Sequence, residues 1–178
     1  MKKLILLGDS IRMGYQPEVQ KLLAGRYDVS GPEENGRWSG YTLNSLRFWM
    51  PEWPEADVIH LNAGLWDTGD DYGFGRPFTR LADYRENLEL ILRVLREHYP
   101  DAKLILATTT PTLDRDQGII REYNEVLKDV AAEQGIPVDD LYGLFAGREK
   151  EYICPDKVHL TKEGFCLAAE QVARAVEE

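Results

Sequence analysis

The chain has 178 residues, 43% of them hydrophobic and 29% charged, a length that suits one domain able to hold a core without disulfides or a structural metal. Acidic residues outnumber basic ones by 31 to 21, for a net charge of −10. That balance argues against nucleic acid, whose affinity comes largely from lysine and arginine on phosphates, and against anionic membrane surfaces.

In chain order, Met1-Lys2-Lys3 followed by Leu4-Ile5-Leu6-Leu7 begins like an export signal, but the apolar run stops at Gly8-Asp9, short of the roughly 7–15 residues a signal core needs. Residues 4–7 are read instead as a buried first strand, and a cytoplasmic location follows as the default. A helix is expected after Pro17 to about residue 26, with Val19, Leu22 and Leu23 on one face, then a strand over 27–29. Residues 43–50 suit a short helix ended by Pro51, and 57–61 a third strand. The longest helical pattern covers 77–98, where Leu81, Tyr84, Leu88, Ile91, Leu92 and Leu95 recur at three- and four-residue intervals. A strand over 104–108, a helix over 119–133 and a short strand over 137–138 come next. Thr161 is a good N-cap for a last helix running to about Val176.

Strands alternating with helices predict βαβ crossovers and a five-stranded parallel sheet inside a three-layer α/β/α sandwich, flavodoxin-like in its coarse order. No repeat or linker divides the chain, so one domain is expected over residues 1–178. Such folds place their sites beyond the carboxyl ends of the strands, which directs attention to loops 8–14, 30–41, 62–78, 109–118 and 142–160.

Nucleophilic hydrolysis needs a hydroxyl or thiol, a base and an orienter for that base. Of three histidines, His98 ends the long helix, where a cation suits the dipole, and His60 lies inside a strand as a core histidine would. His159 follows Asp156 by three residues, a spacing at which a carboxylate in a tight turn can hold one imidazole nitrogen and leave the other free. Ser10 alone among the serines follows directly on a strand, in Leu6-Leu7-Gly8-Asp9-Ser10. There it could expose its hydroxyl over the sheet edge, or simply cap a helix. Cys154, Asp156, His159 and Cys166 could be grouped as a metal site, but two buried thiols at these positions need no metal. Arg12, Arg37, Trp38, Tyr41, Trp66 and Tyr72 share the candidate loops and could contact a sugar or acyl group or serve packing alone. Arg12, two residues past Ser10, and Trp66 are the preferred substrate contacts.

Taken together, the motifs resemble those of the SGNH hydrolases, the GDSL family. Gly8-Asp9-Ser10-Ile11 resembles the first block, residues 35–42 around Gly40 the second, Gly64-Leu65-Trp66-Asp67 the third and Asp156-Lys157-Val158-His159 the last. The resemblance implies the SGNH hydrolase fold and cofactor-free serine hydrolysis of esters. It also implies Ser10 as nucleophile, His159 as base, Asp156 as orienter, and the N–H groups of Ser10 and Gly40 in the oxyanion hole. Trp66 stands where the family pattern has the oxyanion asparagine; the Trp66 indole, Asn35 and Asn62 could each supply that donor, and Asn62, ending the third strand, is the expected substitute. The Gly-x-Ser-x-Gly elbow of α/β-hydrolases is absent, since Arg12 occupies its last position. The expected function is therefore a serine esterase, acting through an acyl-enzyme on a small-molecule or carbohydrate ester with a short acyl group, an O-acetyl ester being one concrete case. The rivals are a catalytically weak ligand-binding protein on the same fold and a flavodoxin-like phosphate-binding or signalling module. The sequence carries no sign of oligomeric state.

Overall fold

The computed structural model describes all residues from Met1 to Glu178. Five parallel strands, β1 (Lys2–Gly8), β2 (Tyr27–Ser30), β3 (Val58–Asn62), β4 (Lys103–Ala107) and β5 (Val138–Asp139), lie side by side in the order β2-β1-β3-β4-β5. Seven helices surround them: α1 (Ser10–Leu22), α2 (Ser39–Trp49), α3 (Leu81–His98), α4 (Gln117–Gln134), α5 (Leu141–Phe145), α6 (Glu149–Tyr152) and α7 (Lys162–Glu177). The fold is the expected three-layer α/β/α arrangement.

The alternation of side chains along β1 sorts the core into two halves. Leu4 and Leu6 join α1 and α7 residues such as Ile11, Val19, Ala168 and Val172 on one face. Ile5 and Leu7 join Leu46, Leu88, Leu92 and Leu127 of α2, α3 and α4 on the other. The strand order reverses between β1 and β3, which opens a crevice beyond their carboxyl ends. Gly8 and Asn62, the last residues of those two strands, are paired in register at its floor.

Several boundaries differ from the sequence reading. The first helix starts at Ser10, not after Pro17. Asp9 caps it by accepting from the Ile11 N–H at 2.9 Å, and Pro17 sits inside the helix on its exposed face. Proline there removes one backbone donor, but the carbonyl it leaves unpaired belongs to Met13, which is also exposed and can bond water. The helix expected from residue 77 begins at Leu81, because the Phe78 and Thr79 amides are held by the carbonyls of Gly69 and Asp67. Helices α5 and α6 lie in a stretch read as loop; at five and four residues they are too short to show a period. Cys154 and Cys166 are free and half-buried rather than buried.

Leu88 on α3 is fully buried between helix and sheet. Leu88→Ala should lower unfolding free energy by about 2–5 kcal/mol, the usual range for such a truncation, as read from urea denaturation.

Candidate active site

The crevice begins with a close approach of backbones. Gly8 has φ +154°, and a Cβ at this position would lie 2.6 Å from the Asn62 carbonyl and 2.8 Å from Cβ of Arg12. Its carbonyl accepts the Gly36 N–H at 2.9 Å, and a Cβ on Gly36 would itself lie 2.6 Å from that carbonyl. Only glycine permits this contact at both places. The chain therefore turns out of β1 directly into α1, and Ser10 becomes its first residue.

Arg12 corrects an expectation. It is buried, and its terminal guanidinium nitrogens are committed to protein oxygens rather than left for a substrate. One guanidinium nitrogen donates to the Pro32 carbonyl and to Gln16 Oε1, each at 2.9 Å. The other donates to the carbonyls of Glu34 at 2.8 Å and Gly8 at 3.4 Å. The side chain is a clamp that fixes residues 32–36 against the end of β1. A buried charge survives when its donors are spent on backbone acceptors in this way.

The last loop brings a second group to Ser10. Ile153 and Leu160 form an antiparallel bridge, and within it the Lys157 N–H donates to the Cys154 carbonyl at 2.9 Å, with Lys157 in the left-handed region at φ 70°. Asp156 Oδ1 accepts from the N–H groups of Val158 at 3.0 Å and His159 at 2.9 Å. Its Oδ2 lies 2.8 Å from His159 Nδ1. The opposite ring nitrogen, Nε2, is 2.9 Å from Ser10 Oγ. Ser10, His159 and Asp156 thus form a continuous hydrogen-bonded chain joining positions 149 residues apart. The Leu113 N–H, donating to the Lys157 carbonyl at 2.7 Å, ties the loop after β4 to this turn.

The other expected residues surround it. Gly40 lies in the first turn of α2, and neither its N–H nor that of Ser10 has a partner within the protein. Asn62 donates its amide to the Thr108 carbonyl at 3.1 Å, joining the ends of β3 and β4. Trp66 is 36% exposed. Residues the sequence did not single out include Asp67, which receives Ser39, and Arg115, whose guanidinium donates to the Leu65 carbonyl and to Thr68 Oγ1 at 3.3 Å. Arg115 lies in a loop named from the strand pattern, but nothing in its neighbours announces the carbonyl it holds.

The carboxyl groups are tuned in opposite directions. Three hydrogen bonds, from the Val158 N–H, the His159 N–H and the His159 ring, pull Asp156 down to about 2. Burial pushes Asp9 up to about 6; the Ile11 N–H and the nearby Arg12 oppose this, while Asp67 adds to it. Asp67 is also raised, chiefly by burial, with the Ser39 bonds opposing. No group of three or more His, Cys, Asp or Glu side chains is placed to hold a metal ion, and Cys154 Sγ is turned to the Leu160 carbonyl at 3.3 Å. A cavity of about 830 Å³ lined by Glu86, Glu89, Arg93 and Arg96 contains none of these site residues.

The profile of the GDSL-like lipase/acylhydrolase family matches residues 6–165, a span that includes both Ser10 and His159. The chain belongs to that family. Its class is that of a serine ester hydrolase. Among solved structures it is similar to the acetyl xylan esterase AlAXEase, with a TM-score of 0.83 at 20% identity, covering 98% of this chain and 99% of that one. It is also similar to Axe2, an acetylxylan esterase from Geobacillus stearothermophilus, with a TM-score of 0.81 at 19% identity over 99% and 94%. At these identities the likeness is one of fold. The spore germination lipase LipC of Bacillus licheniformis is 34% identical over 65 residues, which is 36% of this chain and 31% of that protein. The GDSL chain described here therefore matches less than a third of LipC. No helix is long and apolar enough to cross a membrane.

A buried aspartate with a raised pKa binds its proton more tightly in the folded chain than in the unfolded one. Its burial is tolerated below the ordinary value near 3.8 and becomes destabilising as pH rises through about 6. Asp9→Asn keeps an oxygen for the Ile11 N–H. It should be more stable than the parent at pH 8, by about 2–3 kcal/mol at about 1.4 kcal/mol per pKa unit, and the gain should fade toward pH 4. Denaturation of both proteins at pH 4, 6 and 8 checks this.

Proposed function

We propose that this GDSL hydrolase cleaves a short-chain ester through an acyl-enzyme, with Ser10 as nucleophile, His159 as base and Asp156 as its orienter. The observation that carries the proposal is the hydrogen-bonded chain from Asp156 through both nitrogens of His159 to Ser10 Oγ. Oγ forms a bond to the ester carbonyl carbon while His159 Nε2 takes the serine proton. The carbonyl oxygen becomes an oxyanion, received by the free N–H groups of Ser10 and Gly40. Asn62 supplies the third donor. Its amide is already oriented by the Thr108 carbonyl, and the second amide hydrogen is left for the oxyanion. Collapse breaks the ester C–O bond, and His159 returns the proton to the departing alkoxide. Water then repeats the sequence on the acyl-serine. These steps call for no cofactor.

A carbohydrate O-acetyl ester is the substrate class we favour. Trp66 and Tyr72 are exposed on the loop after β3, where aromatic faces can pack on sugar rings, and two of the fold's neighbours are named acetyl xylan esterases. The free thiols of Cys154 and Cys166 suit the reducing cytoplasm. The replacement of the family asparagine by Trp66 favours a second reading, a weakly catalytic ligand-binding protein, and the triad variants separate the two.

Ser10→Ala and His159→Ala should each lower kcat toward p-nitrophenyl acetate by about 10³-fold or more, and the double variant should lose little further, because the residues act as a unit. Wild-type turnover by Ser10→Ala would overturn the proposal. A fluorophosphonate probe should add its mass to Ser10 in the parent and not in His159→Ala.

Asn62→Ala should lower kcat by about 10²–10³ with KM little changed, the usual effect of losing one oxyanion donor. Trp66→Phe should change KM or acyl preference instead. The reverse pattern in steady-state kinetics would transfer the donor role to the indole N–H.

A further inference from the structure

The first turn of α2 has an unusual account of its backbone donors. A helix start leaves four N–H groups without intrahelical acceptors, and a capping side chain normally takes one of the later ones. Here Trp38, in the capping position, makes no side-chain capping bond. The Tyr41 and Thr42 N–H groups both turn to the Trp38 carbonyl, at 3.0 and 3.1 Å. The Ser39 N–H is taken from outside the helix, by Asp67 Oδ1 at 3.2 Å and Oδ2 at 3.0 Å. Gly40 alone keeps an unpaired N–H in this turn.

Asp67 is fully buried and its grip on Ser39 is reinforced. Ser39 Oγ lies 2.6 Å from Asp67 Oδ1 and receives Asn87 Nδ2 at 3.0 Å. Because the Asn87 amide nitrogen can only donate, the serine hydroxyl hydrogen is committed to the carboxylate. The Asp67 backbone is held in turn, its carbonyl accepting the Thr79 N–H at 3.1 Å. Side chains from two other parts of the chain thus fix Ser39 in place, and the peptide that carries the Gly40 N–H follows directly from it.

We infer that Asp67 is a positioning residue for the ester hydrolysis, holding Ser39 so that the Gly40 N–H stays aimed at the developing oxyanion. The inference rests on the reading of Gly40 as an oxyanion donor. A carboxylate meant only to cap the helix would gain by reaching the Gly40 N–H too. This one stops at Ser39 and leaves the next donor without a partner.

The test is Asp67→Asn with p-nitrophenyl acetate as substrate and phenylboronic acid as an inhibitor that presents an oxyanion to the site. The amide sets an N–H₂ group against donors that now meet oxygen. We expect kcat to fall at least tenfold with KM within about twofold, and boronate inhibition to weaken in parallel; a purely structural role would not join these readouts. A folded Asp67→Asn with wild-type kcat and boronate affinity overturns the inference. Should that variant not fold, Ser39→Ala decides. It removes the hydroxyl bond alone, so a severalfold fall in kcat at constant KM supports the role and unchanged kcat overturns it. Both variants are read against a parent that turns over the ester. A failure of the hydrolase reading shows separately, as an inactive parent or an active Ser10→Ala.

Discussion

The constraint on which the site depends is the contact at the end of β1, where three stretches of backbone meet without room for a side chain. Gly8 touches the Asn62 carbonyl on one side and, through its own carbonyl, Gly36 on the other. Once these are packed, the direction of α1, the path of the loop after β2 and the end of β3 are no longer independent. Ser10 and Asn62 belong to the first and last of these, and Gly40 follows the second, in the first turn of α2. Backbone contact thus fixes where Ser10 and Asn62 stand, and the hydrogen bonds to Ser39 add to it at Gly40. Arg12 extends the same fixing outward, because its two terminal guanidinium nitrogens donate to the carbonyls of Gly8, Pro32 and Glu34 and to the Gln16 amide oxygen at the junction.

Charge is arranged around this junction by contrast. Asp156 stands in water with hydrogen-bond donors in front of it and holds its negative charge firmly, which on the proposed mechanism suits a partner for an imidazole that becomes cationic. Asp9, one residue from Ser10, is buried with one oxygen unpartnered and holds its proton far more readily. The two aspartates thus titrate far apart because Asp156 is solvated and takes three hydrogen bonds, whereas Asp9 is buried and takes one. Burying Asp9 costs stability at neutral pH, and what it gives in return is the cap that starts α1 at Ser10.

The strands and the block order were legible because each leaves a local mark: an apolar run, a glycine at a sheet edge, Asp and His three apart. What escaped the sequence had no local mark. Pro17 suggested a helix start because proline favours the first turn, whereas the true cap, Asp9, sat inside a motif already assigned to chemistry. Arg12 looked like a surface cation, since nothing in the sequence shows that the carbonyls of Pro32 and Glu34 will converge on it. Asp67 was visible only as a motif letter. Its hold on Ser39 spans 28 residues and leaves no periodicity or spacing behind. The half-buried state of Cys154 and Cys166 likewise depends on how the short helices α5 and α6 fold back, and these are below the length at which a pattern can be read.

The hydrogen bond between Ser10 and His159 joins the start of the first helix to the loop before the last one. Helices α1 and α7 pack together on the same face of the sheet, so the two halves of the catalytic chain meet only when the chain ends do. During synthesis Ser10, the proposed nucleophile, would leave the ribosome early and wait for almost the whole polypeptide before His159 reached it. On the proposed mechanism, a chain whose strands and helices have formed but whose last loop has not reached α1 is chemically silent. Ester turnover is then a stricter gauge of complete folding than secondary structure, and in refolding it should be the last signal to return.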